Sequence, residues 1–147
     1  MMLYLLNVTK DDDGSLLVTC PAFPEVTTFA EDETHVSLRA TAAIEEAMAA
    51  RIHDGDDLPR PCTDEKFKRA KSEYWVRLSA MTTMKALLYT ALRESGVTRA
   101  ALARQLHWHR EQVDRLFRLD HASKVDQLEA AFGALHRGLD VRVHEMA

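Results

Sequence analysis

Residues 97–117 read VTRAALARQLHWHREQVDRLF. The run divides into two short helical stretches joined by a tight corner, the layout of a helix-turn-helix. Thr98 is placed to cap the first helix, its hydroxyl accepting a backbone N–H of the opening turn. Val97 before the cap and Leu102 after it suit a hydrophobic staple. Leu102, Ala103 and Leu106 fall on one face at helical spacing. After His107-Trp108-His109 the pattern restarts with Val113, Leu116 and Phe117. The remaining faces carry Arg99, Arg104, Arg110, Arg115 and Arg118 against only Glu111 and Asp114. An apolar inside and a basic outside fit a DNA major groove. A helical hairpin with a solvated arginine face is the plainer alternative.

The neighbouring segments extend a helical half. Ser79 suits a cap for a helix over 80–95, with Met84, Leu87, Leu88, Ala91 and Leu92 inward and Gly96 ending it in a left-handed conformation. Ser123 suits the cap of another helix, with Val125, Leu128, Ala131, Phe132 and Leu135 inward and Gly138 ending it. Residues 139–144, LDVRVH, then alternate like a strand. A lone strand cannot satisfy its backbone groups. It pairs with residues 74–78, pairs with its own copy in a second subunit, or frays. Pairing with a copy would make Leu139, Val141 and Val143 a dimerisation face.

The first half has a different pattern. Residues 3–8, LYLLNV, form a short apolar run suited to a strand, and Asp11-Asp12-Asp13-Gly14 is a turn. Residues 15–20 alternate as a second strand. The stretch Pro21-Ala22-Phe23-Pro24-Glu25 is expected to break the pairing, because neither proline donates to a ladder. Residues 26–29 make a third, β-branched strand. Thr34 then caps a long helix whose stripe is Val36, Ala40, Ile44, Ala47, Met48 and Ile52. Residues 53–64, HDGDDLPRPCTD, form the connection out of it, and residues 74–78 return as a fourth strand. The organisation expected is α+β: a β-β-β-α-β domain over 1–78 and an all-α domain over 79–147 with a terminal strand.

Composition narrows the class. The 147 residues, 46% hydrophobic and 29% charged, describe an ordinary folded chain rather than a disordered one. No long apolar run and no basic leader before an apolar core is present, so neither a membrane span nor a secretory signal is expected. Cys20 and Cys62 have no metal-like spacing and suit free thiols in a reducing cytoplasm. The net charge of −4 hides a division: four basic and twelve acidic residues up to Arg60, fifteen basic and eleven acidic after it. The acidic half should favour a basic partner and the basic half a polyanion.

The combination resembles the HicB family of antitoxins. Residues 14–26, GSLLVTCPAFPEV, are similar to that family's glycine-led strand and proline-bracketed corner. Residues 102–106, 112–117 and above all 121–131, HASKVDQLEAA, resemble the helix-turn-helix that many members carry. The resemblance covers nearly the whole chain in the family's domain order. One departure is His107, at a corner where the family usually places glycine; it must accept left-handed geometry there. The resemblance implies a partial RNase H-like fold followed by an Xre/Cro-like helix-turn-helix domain. It also implies a role: an antitoxin that inhibits a HicA-type mRNA interferase, a small basic toxin, and represses its own operon as a dimer or higher even oligomer. A stand-alone transcriptional regulator with a ligand-sensing first domain would share every DNA-binding feature.

Candidate sites follow from these readings. At the start of the second short helix, His109, Arg110, Glu111, Gln112 and Arg115 face the groove, with Arg110 and Arg115 on bases. Thr98, Arg99 and Arg118 suit phosphates. Glu111 is alternatively an ion-pair partner for Arg115 four residues on. Tyr4, Asp11, Asp12, Asp13 and Glu25 are the candidates for meeting the toxin. No metal or cofactor is expected: His107, His109 and His121 lack a completing ligand, and the first strand offers only Asn7 where a two-metal nuclease needs carboxylates. No enzymatic activity is expected.

Overall fold

A computed structural model describes residues 2–62 and 74–145. The chain is mixed α+β, with antiparallel strands first and helices after, in two compact units, Met1–Thr83 and Met84–Ala147.

In the first unit, β1 (Leu3–Lys10), β2 (Leu16–Cys20), β3 (Phe23–Ala30) and β4 (Tyr74–Arg77) form an antiparallel sheet in the order β3-β2-β1-β4. The turn between β1 and β2 closes through Asp11 N–H to Ser15 O at 2.8 Å, and Gly14 takes the positive φ of +87° that its position needs. Helix α1 (Glu33–Asp54) packs on the sheet with Val36, Ala40, Ile44, Ala47, Met48 and Ile52 buried, the six positions expected from their spacing. Tyr4 and Phe23 meet edge to face at 5.1 Å, and the Arg51 guanidinium lies 5.2 Å over the Phe23 ring.

Three expectations for this unit need correction. β3 begins at Phe23 rather than Val26, paired with Cys20 across a register shift between Thr19 and Cys20. Pro24 is tolerated because β3 is an edge strand, where an outward-facing nitrogen loses no ladder bond. The α1 cap is Asp32, not Thr34: its Oδ1 accepts from Thr34 N at 2.9 Å and His35 N at 3.2 Å. The helix runs on through His53 and Asp54 to a left-handed Gly55, so the connection begins later than expected. The last two residues of the connection expected over 53–64 lie outside the described residues.

Bonds from the Thr34 hydroxyl and from His35 hold the Asp32 carboxyl at about 2, below its ordinary 3.8. A depressed carboxyl stabilises only while ionised in the fold. Its contribution is complete above the unfolded value and lost as pH falls through the folded one. Asp32→Ala should therefore lower the urea midpoint at neutral pH, and the gap from wild type should close near pH 2. A gap unchanged in acid would show that the ionised carboxylate is not the cap.

The second unit holds most of α2 (Ala80–Ser95), then α3 (Arg99–Leu106), α4 (Arg110–Leu116) and α5 (Val125–Ala134). Ser79 Oγ accepts from Thr82 N at 3.1 Å, and Gly96 leaves α2 at φ +69°. Thr98 Oγ1 accepts from Ala101 N at 3.1 Å. His107 occupies the corner at φ 57°, ψ 38°, and Trp108 N donates back to Ala103 O at 3.0 Å. The core gathers Leu88, Tyr89 and Leu92 of α2, Leu102 of α3, Val113 and Leu116 of α4, Phe117, and Leu128, Ala131 and Phe132 of α5.

Here too the structure departs from the pattern. Leu87 and Val125, expected inside, are 42% and 49% exposed, and Met84 is half-buried. The inward face of α2 is instead the one that carries Lys85, Leu88, Tyr89 and Leu92. Lys124, not Ser123, holds the cap position of α5; Ser123 is buried, and its hydroxyl has no hydrogen-bond partner among the described residues. α5 stops at Ala134, and His136 rather than Gly138 adopts the left-handed conformation, at φ 58°. Residues 139–145 form no strand in the single chain, and Val141 and Val143 are 81% and 92% exposed. A strand requires a partner edge for its N–H and C=O groups.

Candidate functional site

The exposed side of α3 and α4 brings most of the candidate groove residues together on one short stretch of backbone. α4 is seven residues long, and Val113 and Leu116 bury one side of it. His109 caps it, its N–H donating to Gln112 Oε1 at 2.8 Å, so the Gln112 carbonyl is engaged and its amide N–H groups remain as donors. Thr98 is exposed, with its hydroxyl already accepting from Ala101.

The arginines have distinct placements. Arg115 and Arg104 are exposed and make no ion pair among the described residues. Arg110 Nε lies 3.0 Å from Asp114 Oδ1, with its side chain 55% exposed. Arg99 reaches the same Oδ1 at 3.3 Å and lies 4.7 Å over the Phe117 ring, which ties it to the fold as much as to any partner. Arg118 grips Asp120 with two bonds of 3.1 and 3.0 Å. This holds the Asp120 carboxyl below its ordinary value. The alternative role of Glu111, an ion pair with Arg115, is not seen among the described residues; Asp114 is the acid that organises α4, because it faces α3 and sits one turn from Arg110.

Sequence reasoning missed Lys85. Its side chain is fully buried, and Nζ donates to Arg115 O at 2.9 Å and Arg118 O at 2.6 Å. Removal from water pushes its ammonium down to about 8, with Asp120 opposing the shift. A lysine on an amphipathic helix ordinarily reads as solvated, so no signal in the pattern marked it.

The first-unit candidates do not converge. Asp11, Asp12 and Asp13 are exposed in the β1–β2 turn. Asp13 accepts from Ser15 N and Oγ at 2.9 and 2.6 Å, which lowers its carboxyl. Glu25 lies near the other end of β2, roughly 15 Å away by strand rise. It is clamped by Arg51 at 2.7 and 3.0 Å, which lowers its carboxyl. Tyr4 is a correction: it is fully buried, and its hydroxyl donates to Pro59 O at 2.9 Å. Burial raises that hydroxyl above its ordinary range. Such a side chain offers no surface to a partner.

Among the described residues, no group of three His, Cys, Asp or Glu side chains converges to hold a metal ion. Among those same residues, no helix is long and apolar enough to cross a membrane. Cys20 and Cys62 are free thiols, the first buried.

A family model described as "HicB_like antitoxin of bacterial toxin-antitoxin system" matches residues 3–87. The chain is 34% identical to "Antitoxin HicB" of Pseudomonas fluorescens (strain Pf0-1), across 93% of this chain and 90% of that protein. It is 26% identical to "Antitoxin HicB" of Escherichia coli (strain K12), across 95% of this chain and 98% of that one. "Antitoxin HicB 2" of Photorhabdus laumondii is likewise 26% identical, with 95% of each chain covered. These alignments run through both units.

Proposed function

The chain belongs to the HicB-like antitoxin family, and from that premise we propose that it neutralises a HicA-type mRNA interferase and represses its own operon. Residues 1–78, a partial RNase H-like domain in this reading, take the toxin. Residues 79–147, an Xre/Cro-like helix-turn-helix domain, take operator DNA and dimerise. The protein has no catalytic role in this reading.

One observation carries the operator half. α4 presents Arg110 and Arg115 outward while Val113 and Leu116 bury its other side, and a tight corner at His107 sets it against α3. Arginine pairs bidentately with guanine in a major groove. Glu111 and Gln112 flank that pair, His109 opens the helix, and Thr98, Arg99 and Arg118 border the face toward phosphates. The toxin half rests on family membership and on charge. The exposed Asp11, Asp12 and Asp13, with Glu25, lie in a half carrying twelve acidic against four basic residues, which suits a small basic protein.

Operator reading of this kind needs two copies, with half-sites ~34 Å apart or a multiple of that. Leu139, Val141 and Val143 are placed to pair with their copies across a two-fold axis, which would give this segment a partner edge.

The test is to co-express the chain with the small basic protein encoded beside it and weigh the purified complex. A stable complex that lacks ribonuclease activity, and that retards the DNA upstream of the pair, is the expected result. A chain that purifies alone while its neighbour stays toxic would overturn the antitoxin assignment; a regulator with a ligand-sensing domain would then be the better reading.

A further inference from the structure

We propose that Lys85 is a positioning residue for DNA reading, holding the end of α4 from which Arg115 and Arg118 emerge. The inference rests on the operator reading above.

The last carbonyls of an α-helix have no partner within the helix, and they carry the negative end of its dipole. α4 ends at Leu116, and the chain turns away through Phe117 and Arg118. Lys85 Nζ reaches across from α2 to Arg115 O at 2.9 Å and Arg118 O at 2.6 Å. The carbonyls it grips therefore belong to two of the arginines assigned to DNA. One ammonium group fixes the backbone of both and sets how far α4 runs before the turn.

Burial of this cation is not an obvious source of stability. Its Nζ has no carboxylate within ion-pair distance among the described residues; the nearby Asp120 is bonded to Arg118. A buried charge balanced only by dipoles carries a desolvation cost, and an apolar side chain of similar length would avoid it. What the ammonium does that an apolar chain cannot is bond two particular oxygens. It also neutralises the negative helix end near a surface meant for phosphates.

The experiment uses the full chain as wild type, Lys85→Met and Lys85→Gln, with the duplex directly upstream of its own reading frame as the probe. Three quantities are read: the urea midpoint, the affinity for the duplex, and amide exchange across the second unit. Lys85→Met should keep or raise the midpoint, lose affinity about ten-fold, and exchange faster at residues 117–121 alone. Lys85→Gln, which can still donate a hydrogen bond, should fall between the two. Wild-type affinity and unchanged exchange in Lys85→Met would overturn the proposal. So would unfolding of both variants, which would make Lys85 a stability residue. Should wild type itself not bind the duplex, the operator reading fails and the DNA role of Lys85 falls with it, while faster exchange confined to 117–121 still decides whether Lys85 holds the end of α4.

Discussion

Replacing both Arg110 and Arg115 with alanine is expected to cost about 2–6 kcal/mol of operator affinity, from about 1–3 kcal/mol for each bidentate base contact. The two positions are five residues apart and share no ion pair, so their effects should add to a first approximation. Folding should hardly change. Arg115 makes no ion pair among the described residues, and the Arg110–Asp114 pair is exposed, where such pairs contribute little. Asp114 holds Arg110 through Nε alone, so both Nη groups of Arg110 stay free for a base, and each single variant should lose affinity. Titrating the duplex with each variant, alongside a thermal melt, reads both effects. Wild-type affinity in the double variant would remove α4 as the reading helix.

Tyr4→Ala is expected to cost about 3–5 kcal/mol of stability in the first unit. The ring is fully buried, packs edge to face on Phe23, and its hydroxyl bonds Pro59. That cost is a large share of the roughly 5–15 kcal/mol that domains typically have, so the melting temperature of the first unit should fall steeply. Tyr4→Phe keeps the packing and removes one hydrogen bond, for about 1 kcal/mol. Toxin neutralisation should therefore weaken on warming in Tyr4→Ala, in step with loss of the fold, and survive in Tyr4→Phe. A Tyr4→Ala variant that melts like wild type yet no longer neutralises would put Tyr4 at the interface and contradict its burial.

The two halves of the chain were legible to different depths. In the first, the succession of strands along the chain and the six-residue stripe of α1 follow from local spacing, because alternation and helical periodicity leave a record in the sequence. The exposed face of α4 was equally legible, since Thr98, His107 and His109 mark both ends of the corner through backbone rules that act over a few residues. The toxin-facing candidates were not. Acidic residues in turns look alike in a sequence whether they cluster or stand at opposite ends of a sheet, and Tyr4 reads as amphipathic until its partners Phe23 and Pro59 are known. Asp114 likewise reads as a minor charge beside five arginines, and only folding shows that it ties Arg99 and Arg110 to α4.

What the sequence determined by itself is what short-range chemistry determines: the order of elements as far as α5, the ends of α2 and α3, the charge division between halves, and the left-handed corner at His107. What only the tertiary structure decided is how far the inward face of α2 is rotated. Of the stripe Met84, Leu87, Leu88, Ala91 and Leu92, the last three are buried, but Lys85 and Tyr89 complete the buried face in place of Met84 and Leu87. A buried ammonium is disfavoured by everything its own helix offers. It becomes acceptable only when carbonyl oxygens 30 and 33 residues further along the chain are folded against it.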